Sequence, residues 1–160
     1  MRADTETRYW LREARERDLD FMFEVKRSGM RPYVEATWGR WDEVEQRARF
    51  VANFTPAYDR VIVTAAGDVG SLCVSWDEEP AFLAALYLAA SARGAGLGTA
   101  ILRDLQAEAR RRGRALELRV LLTNLPARRL YDRLGFVAVA TTETHTRMRY
   151  EPPRGAPRPS

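Results

Sequence analysis

The chain is poor in reactive side chains. Its 160 residues include one cysteine, Cys73, one histidine, His145, and one lysine, Lys26. A lone cysteine excludes an internal disulfide. Cys73 sits in the strand-like run Ser71–Trp76 with no base placed beside it, so it reads as a small buried hydrophobe and not as a nucleophile. No apolar run approaches the length of a membrane span. Nothing near Met1 resembles the apolar core of a signal peptide. A cytoplasmic protein without a membrane partner is the expectation.

Near-absence of lysine shapes the charge. The net charge is +4 and the pI about 9.6, carried almost wholly by arginines scattered among Asp and Glu. The run Arg110-Arg111-Arg112 falls in the last turn of a predicted helix, where cations suit the dipole. No recognition motif accompanies the charge, and no nucleic-acid partner is expected. Hydrophobic residues make up 46% of the chain, enough for one globular core at this length. The predicted organisation is one domain over residues 1–151, with a loose lead-in at Met1–Thr7. A disordered tail follows at 152–160, where four prolines, Gly155 and two arginines crowd together.

Periodicity supplies the elements. Arg8–Glu13 reads as a first strand. Asp18 reads as an N-cap for a helix over Asp18–Arg27, with Leu19, Met22 and Phe23 at helical spacing and Ser28-Gly29 as its stop. A second helix is predicted over Trp41–Phe50. Arg60–Ala65 and Val69–Trp76 form a hairpin about Ala66-Gly67-Asp68. Phe82–Ala90 is almost entirely apolar, as in a central strand covered on both faces. Leu97, Ile101, Leu102, Leu105 and Ala109 make one helical stripe, closed by Gly113. Leu116, Leu118 and Val120 alternate with Glu117 and Arg119, a half-buried strand with Glu117 in solvent. Asn124 caps a helix that has Pro126 in its first turn and ends at Gly135. Phe136–Thr141 and His145–Tyr150 complete the strands. The order β-α-α-β-β-β-α-β-α-β-β gives an α/β class.

The chain is organised around Ser91–Ile101, where Arg93, Gly94, Gly96 and Gly98 lie between an apolar strand and an amphipathic helix. Residues without Cβ let the backbone curl until several N–H groups face one hollow, and the helix that follows adds unpaired N–H groups and a positive dipole end. That suits a phosphate or a diphosphate. A P-loop would need a lysine where Gly98 is followed directly by Thr99. A dinucleotide fingerprint would need different glycine spacing and an acidic end to the next strand, which closes instead on Val120, Leu121 and Leu122.

Arg93, Gly96 and Gly98 stand as R-x-x-G-x-G. Asn124, Ala127, Leu130, Tyr131, Gly135 and Phe136 stand as N-x-x-A-x-x-L-Y-x-x-x-G-F. The two blocks, in this order, resemble the GCN5-related N-acetyltransferase (GNAT) superfamily. The resemblance covers nearly the whole chain, most strongly Leu86–Phe136. It implies a single-domain mixed, mostly antiparallel central sheet flanked by helices, with acetyl-CoA as co-substrate and no metal. Arg93, Gly94, Ala95, Gly96, Leu97, Gly98 and Thr99 would hold the pyrophosphate. The backbone of Tyr87, Leu88 and Ala89 would pair with the pantetheine arm, and Asn124 would contact that arm or cap its helix. Tyr131 would protonate the departing thiolate. Ala90 and Ala95 depart from the family's pattern, which favours a proline and a basic residue there.

The base is not assigned by the resemblance. Glu78, Glu79 and His145 are the candidates, because many members carry a glutamate in or near the central strand and Phe82–Ala90 holds none. Tyr33, Trp38 and Trp41 stand beside Asp42 in a segment that packs helices or walls an acceptor site, with rings excluding water and a carboxylate pairing a cationic amine. The resemblance implies an amine acceptor, and the bulky Tyr33–Trp41 segment points to a small molecule in a closed pocket. A protein amine and an idle acyl-CoA-binding domain are the alternatives, and a homodimer is compatible with it.

Overall fold

The computed structural model describes residues 8–153. The lead-in at Met1–Thr7 and all of the expected tail beyond Pro153 lie outside the described residues. Seven strands run β1 (Trp10–Glu13), β2 (Asp59–Thr64), β3 (Gly67–Ser75), β4 (Ala81–Leu88), β5 (Leu116–Leu121), β6 (Val137–Thr141) and β7 (His145–Tyr150). Four helices run α1 (Leu19–Trp38), α2 (Glu43–Asn53), α3 (Leu97–Arg112) and α4 (Leu125–Arg133). The strands form one sheet in the order β1-β2-β3-β4-β5-β7-β6. The β4–β5 pair is parallel, while β1–β2, β2–β3, β5–β7 and β6–β7 are antiparallel. This is the α/β class that the element order predicts, with the mixed, mostly antiparallel sheet flanked by helices that the resemblance implies. The chain divides into two compact units, Met1–Cys73 with Ala85–Gly98, and Val74–Ala84 with Thr99–Ser160.

In the first unit, Ala14, Met22, Val61 and Val63 form a buried cluster against which Phe21, Phe50 and Phe54 pack. Helix α1 is longer than expected. Ser28-Gly29 does not stop it, and the helix also passes through Pro32 before ending at Gly39, which takes φ 83°. The buried stripe Met22, Phe23 and Val25 resumes at Val34, and burial of that face outweighs the ~1 kcal/mol a mid-helix glycine costs. Pro32 offers no N–H to the Ser28 carbonyl.

Asp18 precedes α1 but does not cap it. Its carboxylate accepts instead from the Arg15 N–H at 2.8 Å and pairs with the Arg12 guanidinium, which also reaches Asp68. The Arg12 hydrogen bond holds the Asp18 pKa below its usual value, against the opposing effect of burial. Helix α2 starts two residues later than predicted, because Asp42 is its cap and accepts from the Glu45 N–H.

In the second unit, β4 and β5 pair in parallel from Ala81–Leu116 to Leu83–Leu118. Ile101, Leu102 and Ala109 of α3 are fully buried, and Gly113 ends the helix with φ 64°. Glu117 is not in solvent. It is 8% exposed and lies opposite Arg149 in the β5–β7 register, pairing with Arg149 at 3.0 Å and Arg147 at 3.5 Å. Two cations on the neighbouring strand make burial of that charge tolerable. Strand β6 ends the sheet. All five of its residues are exposed, Val137 at 60% and Val139 at 43%, and its register with β7 shifts between Ala138 and Ala140.

Candidate functional site

The glycine turn is built from both ends. Strand β4 closes with the Ala89 N–H donating to the Val69 carbonyl at 2.7 Å. A short 3-10 turn, Ala90–Ala92, follows. Gly94 and Gly96 then adopt φ 82° and 86°, the left-handed region that disfavours a Cβ, and α3 begins at Leu97, itself 2% exposed. A Cβ on Gly94 would meet nothing within 4 Å, so that glycine is required by backbone conformation and not by crowding. The first turn of α3 contains no acidic residue, and its leading N–H groups have no intrahelical acceptor. A diphosphate fits this arrangement on charge and on donor supply.

The side chain of Arg93 is exposed but folds back along the surface of the chain. Its Nε donates to the Leu88 carbonyl at 3.0 Å and its Nη2 to the Ser28 hydroxyl oxygen at 3.1 Å. Two of the backbone groups expected to meet a pantetheine arm, the Leu88 carbonyl and the Ala89 N–H, are therefore already engaged. Strand β4 is also more open than its sequence suggests. Ala81 and Leu83 are buried, but Ala84 is exposed and Ala85–Leu88 are only part-covered. Gly70 on β3 was not anticipated. A Cβ there would lie 2.3 Å from the Tyr87 carbonyl oxygen, so only glycine lets the backbone at Tyr87 approach this closely. A lone glycine inside a strand pattern is the sequence signal for such an approach.

Asn124 caps α4. Its side-chain oxygen accepts the Ala127 N–H at 3.3 Å, and Pro126 occupies the first turn. Tyr131 lies two turns on. Its ring packs edge-on against Phe136 with centroids 5.7 Å apart, and Phe136 meets Tyr150 at 5.9 Å. Burial pushes the Tyr131 phenol up to about 12, so it keeps its proton throughout the neutral range.

The acid–base candidates differ sharply in setting. Glu78 and Glu79 sit in an exposed turn, where the Glu78 carbonyl accepts from Arg114 at 3.1 Å. His145 opens β7, with Nδ1 2.8 Å from the Thr144 hydroxyl. Burial and then the nearby Arg119 lower its pKa, which keeps the imidazole neutral at pH 7. Cys73 is part-buried. Burial foremost and Asp59 next raise its thiol to about 12, which removes it as a nucleophile.

In the aromatic segment, Tyr33 is part-buried and Trp38 is 54% exposed. Trp41 packs on Phe23 with centroids 6.2 Å apart and donates its indole N–H to Glu43 at 2.6 Å. The carboxylates here have partners within the chain: Glu35 pairs Arg31, Glu43 pairs Arg27, Glu45 pairs Arg49, and Asp42 caps α2. A groove of about 470 Å³ on α1 is lined by Arg27, Ser28, Arg31, Pro32 and Glu35. Among the described residues, no cluster of three or more His, Cys, Asp or Glu side chains could hold a metal. None of the described helices is long and apolar enough to cross a membrane.

Residues 11–136 match the acetyltransferase (GNAT) family. Solved structures with a similar fold include a PaiA N-acetyltransferase from Thermoplasma acidophilum in complex with coenzyme A, at 16% identity and TM-score 0.67, covering 90% of this chain and 99% of that one. A GNAT-family acetyltransferase from Streptococcus agalactiae has TM-score 0.70 at 13% identity, over 91% and 96% of the two chains. The ribosomal-protein-S18-alanine N-acetyltransferase from Escherichia coli has TM-score 0.59 at 19% identity, over 89% and 92%. Among curated proteins, none matches the chain.

Proposed function

Because the chain belongs to the acetyltransferase (GNAT) family, we propose that it moves an acetyl group from acetyl-CoA to a primary amine of a small molecule, by direct attack with both substrates bound. The observation that carries this reading is the turn at 93–98. Two left-handed glycines open directly into a 16-residue helix with no acid in its first turn. Backbone N–H groups there donate to the diphosphate oxygens of the co-substrate. The part-covered apolar stretch Ala85–Leu88 supports a role for the end of β4 in holding the adjoining arm.

The acceptor nitrogen must be neutral to attack, although a free alkyl amine titrates near ~10. His145, neutral at pH 7, is the favoured proton acceptor, directly or through water. As the new C–N bond forms, the C–S bond of the thioester breaks and the sulfur leaves as thiolate. Tyr131 then gives its phenolic proton to that sulfur and is reprotonated from solvent. A phenol held at about 12 is fully loaded for this step. The aromatic segment Tyr33, Trp38 and Trp41 favours a compact acceptor over a protein chain, and a cytoplasmic location suits an enzyme that draws on acyl-CoA.

The test is a thiol-release assay with acetyl-CoA across amines, amino acids and peptides, run beside Tyr131→Phe. Turnover with a small amine, lost in the variant while coenzyme A still binds, is the expected result. An idle acyl-CoA-binding domain would bind coenzyme A and turn over nothing in the panel. Turnover confined to peptides would move the acceptor to a protein amine.

A further inference from the structure

Arg93 is the one charged side chain of the glycine turn, and a positive side chain beside a diphosphate site is most simply read as a ligand for it. Its hydrogen bonds place it differently. The guanidinium joins the Leu88 carbonyl at the end of β4 to the Ser28 hydroxyl in the middle of α1. The neighbouring Gly29 lies against it: a Cβ there would stand 3.5 Å from Nη2, an ordinary contact, so the guanidinium would be accommodated beside a side chain as well. Ser28 and Gly29 are also where the sequence predicts a helix stop and α1 continues, and Ser28 has a separate use there as the acceptor for Arg93.

A turn holding two left-handed glycines is intrinsically loose, since glycine loses more conformational freedom on ordering than any other residue. Leu97, buried at the start of α3, anchors its far end. We propose that Arg93 is the anchor at the near end: a positioning residue that clamps the turn to α1 through Ser28 and fixes the curl of residues 94–96 before any ligand arrives. A turn ordered beforehand binds more tightly because less freedom is lost on binding. What the turn binds rests on the acetyltransferase reading. The clamp itself is a property of the ligand-free chain.

The two are separated by measuring backbone NMR order parameters of Gly94 and Gly96 without ligand, and coenzyme A affinity by calorimetry, on the full chain. Ser28→Ala removes the clamp without touching the cation. It should take the Gly94 and Gly96 order parameters from a rigid value of about 0.85 toward or below about 0.6. It should also weaken coenzyme A by about threefold, the low end of the scale of one lost hydrogen bond, as suits an exposed one. Ser28→Thr, which keeps the hydroxyl, should restore both. Adding Ser28→Ala to Arg93→Met should change nothing further. Wild-type order parameters in Ser28→Ala would overturn the clamp. So would full additivity of the two changes, or loss of coenzyme A binding in Arg93→Met alone, which would make Arg93 a phosphate ligand. If Arg93→Met does not fold, the Ala and Thr variants at Ser28 decide the matter. If wild type takes up no coenzyme A, the acetyltransferase reading falls and the order parameters still decide the clamp.

Discussion

The turn at 93–98 and helix α4 each carry one block of the family's sequence pattern, yet they offer different things to a substrate. In the proposed reaction the turn offers main chain: its glycines matter for the shape they permit, and its arginine, though exposed, is engaged by the chain's own Leu88 and Ser28. The helix offers a side chain: Asn124 and Pro126 set where it starts, and Tyr131 is the proposed proton donor. Damage to the turn should therefore appear as lost binding, and damage to Tyr131 as lost turnover.

The sharpest way to break this contrast is Tyr131→Phe. Removing a proton donor should lower kcat by about two orders of magnitude, with coenzyme A affinity unchanged by calorimetry. A parallel loss of affinity would dissolve the distinction. Gly94→Val is the converse experiment. Open space surrounds the position, so the cost is the strain of a branched residue at positive φ, about 1–3 kcal/mol. Coenzyme A affinity should fall about tenfold or more while the melting temperature moves little, if the turn relaxes to relieve the strain. Gly70→Ala tests the strand feeding the turn. A Cβ 2.3 Å from the Tyr87 oxygen forces the backbone apart, at a cost of about 1–3 kcal/mol measured by denaturant unfolding. Asn124→Ala removes a helix cap and should cost about 1 kcal/mol of stability.

The smallest effects are those of pH. The Tyr131 phenol is raised from 10.0 to about 12, so its contribution is complete below pH 10 and fades as pH climbs toward 12. Tyr131→Phe should abolish that alkaline component in a titration of unfolding free energy. Asp18 shifts the other way. Its carboxylate stabilises the fold above its ordinary value of 3.8 and ceases to do so as acid takes the pH through its lower folded value. Asp18→Asn should flatten the acid limb of the same curve.

What could be read from the sequence was set by neighbours along the chain. The cap at Asn124, the positive-φ glycines of the turn, the arginine-rich end of α3 and the order of the strands are all local events. The misread features depend on residues far away in sequence. Ser28 and Gly29 look like a stop until Val34 is seen to return the helix to the core and Arg93, 65 positions on from Ser28, is seen to donate to the Ser28 hydroxyl. Glu117 reads as a solvent residue in an alternating strand until Arg147 and Arg149 come alongside. Asp18 carries the mark of a cap but is drawn away by Arg12. Gly70 has meaning only once the Tyr87 carbonyl lies against it.

One consequence follows from the last strand of the sheet. An outermost ribbon of valines and alanines, bare on both faces, is an invitation for foreign chains to zip on and lengthen the stack. The slip in spacing between Ala138 and Ala140 spoils that template, because an incoming ribbon would meet its donors and acceptors out of step after two residues. The irregularity thus guards against clumping along a strand that carries no charge of its own.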